Sequence, residues 1–467
     1  MIAGAGLAVL AALPALFVFR GFTVDDALVS ARVASNLAAG AGYRFNPGGP
    51  VVDAVTPLGW AHLLALFGPG SPVEMLERGR VIGAIGWLGS AAALGALLAR
   101  GTALGRLTAL LLLALVSTGA AWATSGMETG FVTLFAALAL VPRPGGALAG
   151  GIAAALRPEL IPFAAVLAVG GALIEPAEPR RRALFTLRAL VLCAGPAIAV
   201  SLVRTAWFGT PAPLALSAKP PDLGLGIRYA LAAALATSPL VLLLAPFALR
   251  RAGSGVIRVA VALVAHFLAL ALAGGDWMPL FRLAVPVLPA ALFAAAEIEK
   301  TAPTRWHGAR FALGAAISIA YAVFATWPSR SALQDRREFI GEIRRQLRGA
   351  RVTATVDGGF VGAATDGAVF DLAGITDPTI ARLPGDHTSK QVPEGLIESR
   401  NVDHAVIALA PGTRRAEPWP ASRFYRVADA RFAAMPLVQE NFELVAELPL
   451  GSTAYRYLVL KKSTSNR

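Results

Sequence analysis

The chain of 467 residues is 56% hydrophobic and only 15% charged, against about 25% charged residues in a soluble globular domain, and its mean hydropathy is +0.61. That balance excludes a soluble globular protein and points to apolar runs long enough to cross a bilayer. The formal net charge of +13 is scattered among loops, which argues against a nucleic-acid footprint and fits the surplus of Arg and Lys in cytoplasmic loops.

Taken in chain order, apolar runs at 3–19, 80–99, 104–121, 127–142, 146–156, 158–174, 183–205, 227–249, 256–273, 281–296 and 310–327 predict eleven spans. Residues 1–19 have the length of a signal-peptide core. No Lys or Arg precedes them and no small-residue cleavage site follows, so an uncleaved first span is expected. The fifth run is too short to cross alone and is joined to the sixth by LRPE. The stretch TPLGWAHLLALFG (56–68) is also short and is expected on the surface or dipping in. The basic clusters PRRR (179–182) and LRRAG (249–253) are best placed inside, which puts the N-terminus in the cytoplasm.

From about residue 328 the span-length runs stop and charges become frequent. Short apolar strands are predicted at 352–357, 368–372, 404–409, 443–448 and 454–460, with helices at 332–349 and 393–400. The expected architecture is therefore a polytopic α-helical membrane domain over 1–327, with a first outer loop at 20–79, and a small α/β domain over 328–467. An odd number of spans places that second domain outside the bacterial cytoplasmic membrane. The lone Cys193 excludes an internal disulfide and a Cys-rich metal site. The five histidines show no paired metal spacing, and His62 and His266 are expected to be packed or cavity residues and not ligands. There is no GxGxxG, Walker motif, HExxH or GxSxG. No cofactor is expected, and the residues leave a divalent-metal requirement open.

Ionisable residues gather at the predicted outer ends of spans. They are Asp25 and Asp26, Glu128 in ATSGMETG, Arg157 and Glu159 in LRPE, Lys219 in WFGTPAPLALSAK, and Asp276 and Arg282 in GGDWMPLFR. Charges beside lipid are costly and commonly line a cavity, although a helix end is also simply where a charge reaches water. Thr23–Asp26 and Ser125–Glu128 both match a capping box, which makes Asp26 and Glu128 structural by pattern and leaves Asp25 for chemistry. Arg32 is seven residues from Asp25, on the same helix face, and is expected to hold it ionised. Pro158 suits a first helical position and Glu159 the positive start of a helix, whereas Arg157 has no such structural account. In the tail, GDHTSK (385–390) places His387 in a polar loop fit for an acceptor or for water.

These residues, read together, resemble the GT-C superfamily of polyprenyl-phosphate-sugar glycosyltransferases. The resemblance is carried by VDDALVSARVASNLAAGAGYRFNPGGPVVDAVTPLGW, TSGMET, LRPE, WFGTPAPLALSAK, GGDWMPLFRLAVPVLP and VFDLAGITDPTIAR, in order along nearly the whole chain. The most similar branch holds cell-wall arabinofuranosyltransferases and flagellar motor control proteins. The resemblance implies inverting transfer of a sugar from a polyprenyl-phosphate donor, within membrane lipid, to an extracytoplasmic glycan or glycolipid acceptor. It implies an acid at the start of the first outer loop as general base, by position Asp25 or Asp26, and the capping pattern favours Asp25. It implies cations at the donor phosphate, for which Arg282, Lys219 and Arg157 are the candidates. The chain departs from the branch at Leu28, where an aromatic is usual, at VDAVTPLGW and at Leu214, all of which bear on the acceptor pocket. Two other classes use the same charges: a lipid or solute transporter, and a non-catalytic membrane protein of envelope assembly. The absence of an internal repeat and the one-sided charges favour the enzyme.

Overall fold

A computed structural model describes residues 1–99, 101–174, 178–248, 252–299, 307–412 and 423–463. Arg250 and Arg251, which helped to orient the predicted spans, lie outside the described residues. The chain divides into two compact units that the linear order does not separate. One comprises Met1–Thr23, Gly79–Val203 and Pro221–Arg330; the other comprises Val24–Arg78, Arg204–Pro220 and Ser331–Arg467. The last change of unit along the chain falls between Arg330 and Ser331. The first loop and the 204–220 segment nevertheless pack with the tail, because their partners are there.

The first unit is helical. Every one of the eleven apolar runs forms helix, but several are short or broken. Among the described residues, five helices are long and apolar enough to cross a membrane, or six if Ala103–Leu115 and Ser117–Ala123, bent by 56°, make one span. Thr129–Leu138, Pro144–Leu156, Pro158–Leu173 and Leu223–Thr237 are apolar but shorter. The count of eleven full spans is therefore not reproduced. At 1.5 Å per residue, the 10-residue helix Thr129–Leu138 covers only about half of a ~30 Å hydrocarbon core.

On the first helix of this unit, large apolar side chains crowd the exposed face and alanines the buried one. Leu10 and Phe17 on the first helix are each 62% exposed, whereas Ala8 and Ala12 on its other face are buried. That inversion suits lipid as solvent, where close backbone approach replaces the hydrophobic drive between helices. A Cβ on Gly4 would lie 2.7 Å from the carbonyl oxygen of Gly95, and one on Gly86 would lie 2.6 Å from that of Gly130. Only glycine allows either approach.

The second unit is built on a five-stranded sheet, β1 (Val352–Thr355), β2 (Ala368–Asp371), β3 (His404–Leu409), β4 (Phe442–Pro449) and β5 (Arg456–Lys462), in the order β2-β1-β3-β5-β4. β1 runs parallel to β2 and β3, with Thr353 opposite both Val369 and His404. β5 is antiparallel to β3 and β4. Each strand lies where the apolar pattern predicts one. Phe370, Ile407, Phe432, Leu458 and Leu460 form part of its core. The helix Ala332–Gln346 buries Leu333, Phe339, Ile340 and Ile343, the spacing of an amphipathic helix laid on one face.

The segment 24–78 completes this unit. Asn46 pairs with the edge strand β2 through both ends of its amide, donating to the Val369 carbonyl at 2.9 Å and accepting from the Val369 N–H at 2.9 Å. A side chain thus occupies backbone groups that an open edge would expose.

Candidate functional site

In the first unit, three of the polar segments, ATSGMETG, LRPE and GGDWMPLFR, form two groups of ion pairs. The LRPE segment breaks the chain between the Pro144–Leu156 helix and the 3-10 turn Pro158–Leu160, and Arg157 crosses the break in an extended conformation. Its guanidinium lies 2.7 Å from the Glu128 carboxylate and 3.7 Å from that of Glu159, with side chains 5%, 0% and 13% exposed respectively. Glu128 is therefore a buried counter-ion and not part of a capping box. Ser125, its supposed partner, donates to the Trp122 carbonyl at 2.8 Å and accepts from Met127 N–H at 3.1 Å. The Thr129–Leu138 helix starts without a side-chain cap.

GGDWMPLFR forms a strained turn. Gly274 and Gly275 supply the left-handed residues after the Ser254–Leu272 helix. Leu280 (φ 60°) and Phe281 (φ 49°) then adopt the same region, which costs a residue bearing a Cβ roughly 1–2 kcal/mol each. Their neighbours hold them there. Thr118 Oγ1 donates to the Leu280 carbonyl at 2.5 Å and Trp122 Nε1 donates to it at 3.2 Å. Tyr229 Oη accepts from Leu283 N–H at 3.2 Å. The turn delivers Arg282 into the interior, 2.9 Å from Asp276 and 5.8 Å from the centroid of the Trp122 ring. His266, fully buried and hence packed as expected, joins the two polar pairs. Its Nδ1 lies 3.3 Å from the Glu159 carbonyl oxygen and its Nε2 lies 2.9 Å from that of Leu283.

The group thus holds three carboxylates against two guanidiniums. Arg157 faces Glu128 and Glu159, and Arg282 faces Asp276.

The remaining site candidates belong to the second unit. The Asp25–Ala38 helix begins after Val24 with no side-chain cap, and Thr23 Oγ1 instead donates to the Ser125 carbonyl at 2.8 Å. The capping box expected at Thr23–Asp26 is absent, because that hydroxyl finds a carbonyl acceptor 102 positions away. Asp25 is itself the cap of another helix. Its two oxygens accept from Gly359 N–H at 2.9 Å and Phe360 N–H at 2.7 Å, at the start of the Gly358–Ala364 helix. Burial, and then Asp357 nearby, push the Asp25 carboxyl well above the usual range, while the two N–H donors pull it down.

Arg32 does not meet Asp25 either. It donates to the carbonyls of Phe45 at 2.9 Å, Thr365 at 3.0 Å and Gly367 at 2.7 Å, and also to that of Gly362. Burial lowers its guanidinium to about 10. Asp26 stands half-buried on the first turn of its helix. Lys219 closes the short Leu214–Ala218 helix, half-buried. In GDHTSK, Asp386 accepts from Thr388 N–H and Oγ1, both at 2.8 Å, and Lys390 is buried, donating to the Ala381 and Leu383 carbonyls. That loop is folded on itself, with His387 half-buried in it.

Two further polar centres in this unit escape the sequence reading. Asp53 and Arg204 form a buried ion pair at 2.8 Å, beside Tyr43 stacked on His62. The signal was an arginine inside the apolar run SLVRTAW. The second centre follows β1, where Tyr457 Oη donates to Asp357 at 2.8 Å, Arg426 also bonds Asp357, and Asp429 lies 3.4 Å from Arg426. Burial pushes the Asp429 carboxyl up to about 7, Arg426 opposing and Asp357 adding to the rise. Nothing local in the sequence marks this group. Among the described residues, no three or more His, Cys, Asp or Glu side chains are placed to hold a metal ion.

No family model matches the chain, and no curated protein matches it. Among solved structures, it is similar to arabinosyltransferase EmbB from Mycobacterium smegmatis, at 14% identity and a TM-score of 0.39 over 90% of this chain. The match spans 45% of that chain's length, and at that score the likeness carries no argument about function.

Proposed function

We propose that the protein is a membrane glycosyltransferase that moves a sugar from a polyprenyl-phosphate donor to an extracytoplasmic glycan or glycolipid acceptor, with inversion. The observation that carries this reading is the turn Leu280–Phe281. Two adjacent non-glycine residues adopt left-handed backbone, Thr118 and Trp122 bond the Leu280 carbonyl, Tyr229 accepts from Leu283 N–H just beyond, and a buried arginine lies beside Asp276 and Trp122. Strain of that kind persists where the surrounding structure over-determines it, commonly at functional sites. It falls within the segment that most strongly resembles the GT-C superfamily.

In this reading an acceptor hydroxyl attacks the anomeric carbon as the bond from that carbon to the phosphate oxygen breaks. A carboxylate takes the hydroxyl proton, and the polyprenyl phosphate leaves with the electron pair, its charge stabilised by a guanidinium. Arg282 is the first choice for that guanidinium, with Lys219 and Arg157 as the further candidates. The base is Asp26 in preference to Asp25, since both oxygens of Asp25 are committed to backbone N–H groups.

The test is the envelope chemistry of a strain lacking the protein. Loss of one envelope sugar, with accumulation of its polyprenyl-phosphate form and restoration by the wild-type chain, is expected. An unchanged glycan profile and donor pool would contradict the reading.

A further inference from the structure

A second region of the first unit has the chemistry of a binding site and no part in the reaction proposed above. Between the Val141–Ala147 segment, the Ile161–Leu173 helix and the start of the Pro179–Phe208 helix lies a cavity of about 380 Å³. That volume is within the roughly 300–1,000 Å³ of small-molecule pockets. Its walls are largely apolar, including Leu167, Ala168, Ala172 and Phe185, and no acid lines it among the described residues.

Two cations stand in the lining, Arg143 and Arg188, both exposed. Neither has an ion-pair partner among the described residues. The Pro179–Phe208 helix, which supplies Arg188, contains no Asp or Glu at all. The cavity is also built around a fixed floor. Arg258 is buried behind it, donating to the carbonyls of Leu140 and Leu167. A Cβ on Gly171, in the cavity wall, would lie 3.0 Å from the Arg258 guanidinium.

We propose that this cavity holds an anionic membrane lipid, its phosphate between Arg143 and Arg188 and its acyl chain along Leu167, Ala168 and Phe185. The lipid, as opposed to a free anion, follows from the apolar walls and from the flank they adjoin. The Pro179–Phe208 helix has a window of mean hydropathy 2.0 that is only 11% buried, so its surface requires a hydrocarbon neighbour. The anionic headgroup follows from two guanidiniums on an acid-free helix and loop, the pattern of basic pockets that take lipid phosphates. The inference stands whether or not the protein transfers a sugar.

The experiment is native mass spectrometry of the full chain in detergent, titrated with phosphatidylglycerol or with phosphatidylcholine of the same acyl chains. A preference for phosphatidylglycerol of roughly 10-fold or more is expected from two arginines. Arg143→Ala with Arg188→Ala should bring the two lipids to near parity. Arg180→Ala with Arg181→Ala, which removes the same charge from residues outside the cavity lining, should keep the preference. Unfolding curves of both double variants confirm that each is folded. Equal binding of the two lipids by the wild type would overturn the proposal. So would an equal loss of preference in both variants, and so would displacement of the lipid by millimolar inorganic phosphate, which would mark a site for free anions.

Discussion

Asp25 and Arg32, two turns apart on one helix, hold opposite ends of another. Asp25 accepts from the first N–H groups of the Gly358–Ala364 helix, while Arg32 donates to carbonyls at and just beyond its end. The acid meets the positive end of that helix and the arginine the negative end, so both charges complement its dipole. The seven-residue spacing that suggested an ion pair instead matches the length of the seven-residue helix they clamp.

Removing either half of the clamp should loosen that helix. Asp25→Ala and Arg32→Ala are each expected to cost about 1–3 kcal/mol, since charged hydrogen bonds to backbone are lost and buried partners are left unmet. Faster amide exchange at Gly359 and Phe360 in the Asp25 variant checks the assignment, and native exchange rates there would contradict it. The double variant should cost less than the sum, because both act on one helix.

Glu128 and Arg157 should show the asymmetry of a buried ion pair. Glu128→Gln leaves a buried guanidinium short of its nearest acid and is expected to cost roughly 3–5 kcal/mol. Adding Arg157→Gln should recover part of that loss. Thermal unfolding of the single and double variants in detergent measures the coupling, and strictly additive losses would argue against the pair.

The Asp429 carboxyl, raised by burial to about 7 in the fold, predicts a pH dependence. Its unfolded value is lower, near 3.9, so the folded state binds the proton more tightly. Stability from this group is present at acidic pH, declines as pH rises from about 4 to about 7, and is flat above that. Asp429→Asn removes the titration. The unfolding midpoint of the variant should therefore gain on the wild type across that window, and a constant gap would contradict the assignment.

Arg282 should matter to the donor more than to the acceptor. Arg282→Ala is expected to raise the donor KM at least about tenfold with little change for the acceptor, as loss of a charged contact worth ~1.5–3 kcal/mol implies. Equal effects on both substrates would point to a structural role for the turn.

The sequence showed much of the second unit and less of the first. The five strands were legible because short apolar segments bounded by turns and charges admit few other readings, and the helix Ala332–Gln346 carried its own amphipathic spacing. The breaks in the membrane helices were not legible, since an apolar run looks the same whether it is straight or bent at Val116. The two capping boxes misled for a related reason. A hydroxyl three residues before an acid fits a cap by pattern, but Thr23 donates to the distant Ser125 carbonyl and Ser125 to the Trp122 carbonyl three residues behind it. Arg157 and Arg282 stood out because a charge beside lipid needs a partner. Of the partners themselves, Glu128 had a local explanation as a cap, and nothing in the sequence paired Asp276 with Arg282.

The two aspartates of VDDALVSAR can be told apart most directly by a transfer assay on purified Asp25→Asn and Asp26→Asn proteins, with polyprenyl-phosphate sugar donor and envelope acceptor. Asp26→Asn is expected to lose at least about 100-fold in rate, the scale of a general base, while still unfolding cooperatively. Asp25→Asn is expected to lower the unfolding midpoint and keep its turnover once folded. A folded Asp25→Asn protein without activity, beside an active Asp26→Asn protein, would contradict the account.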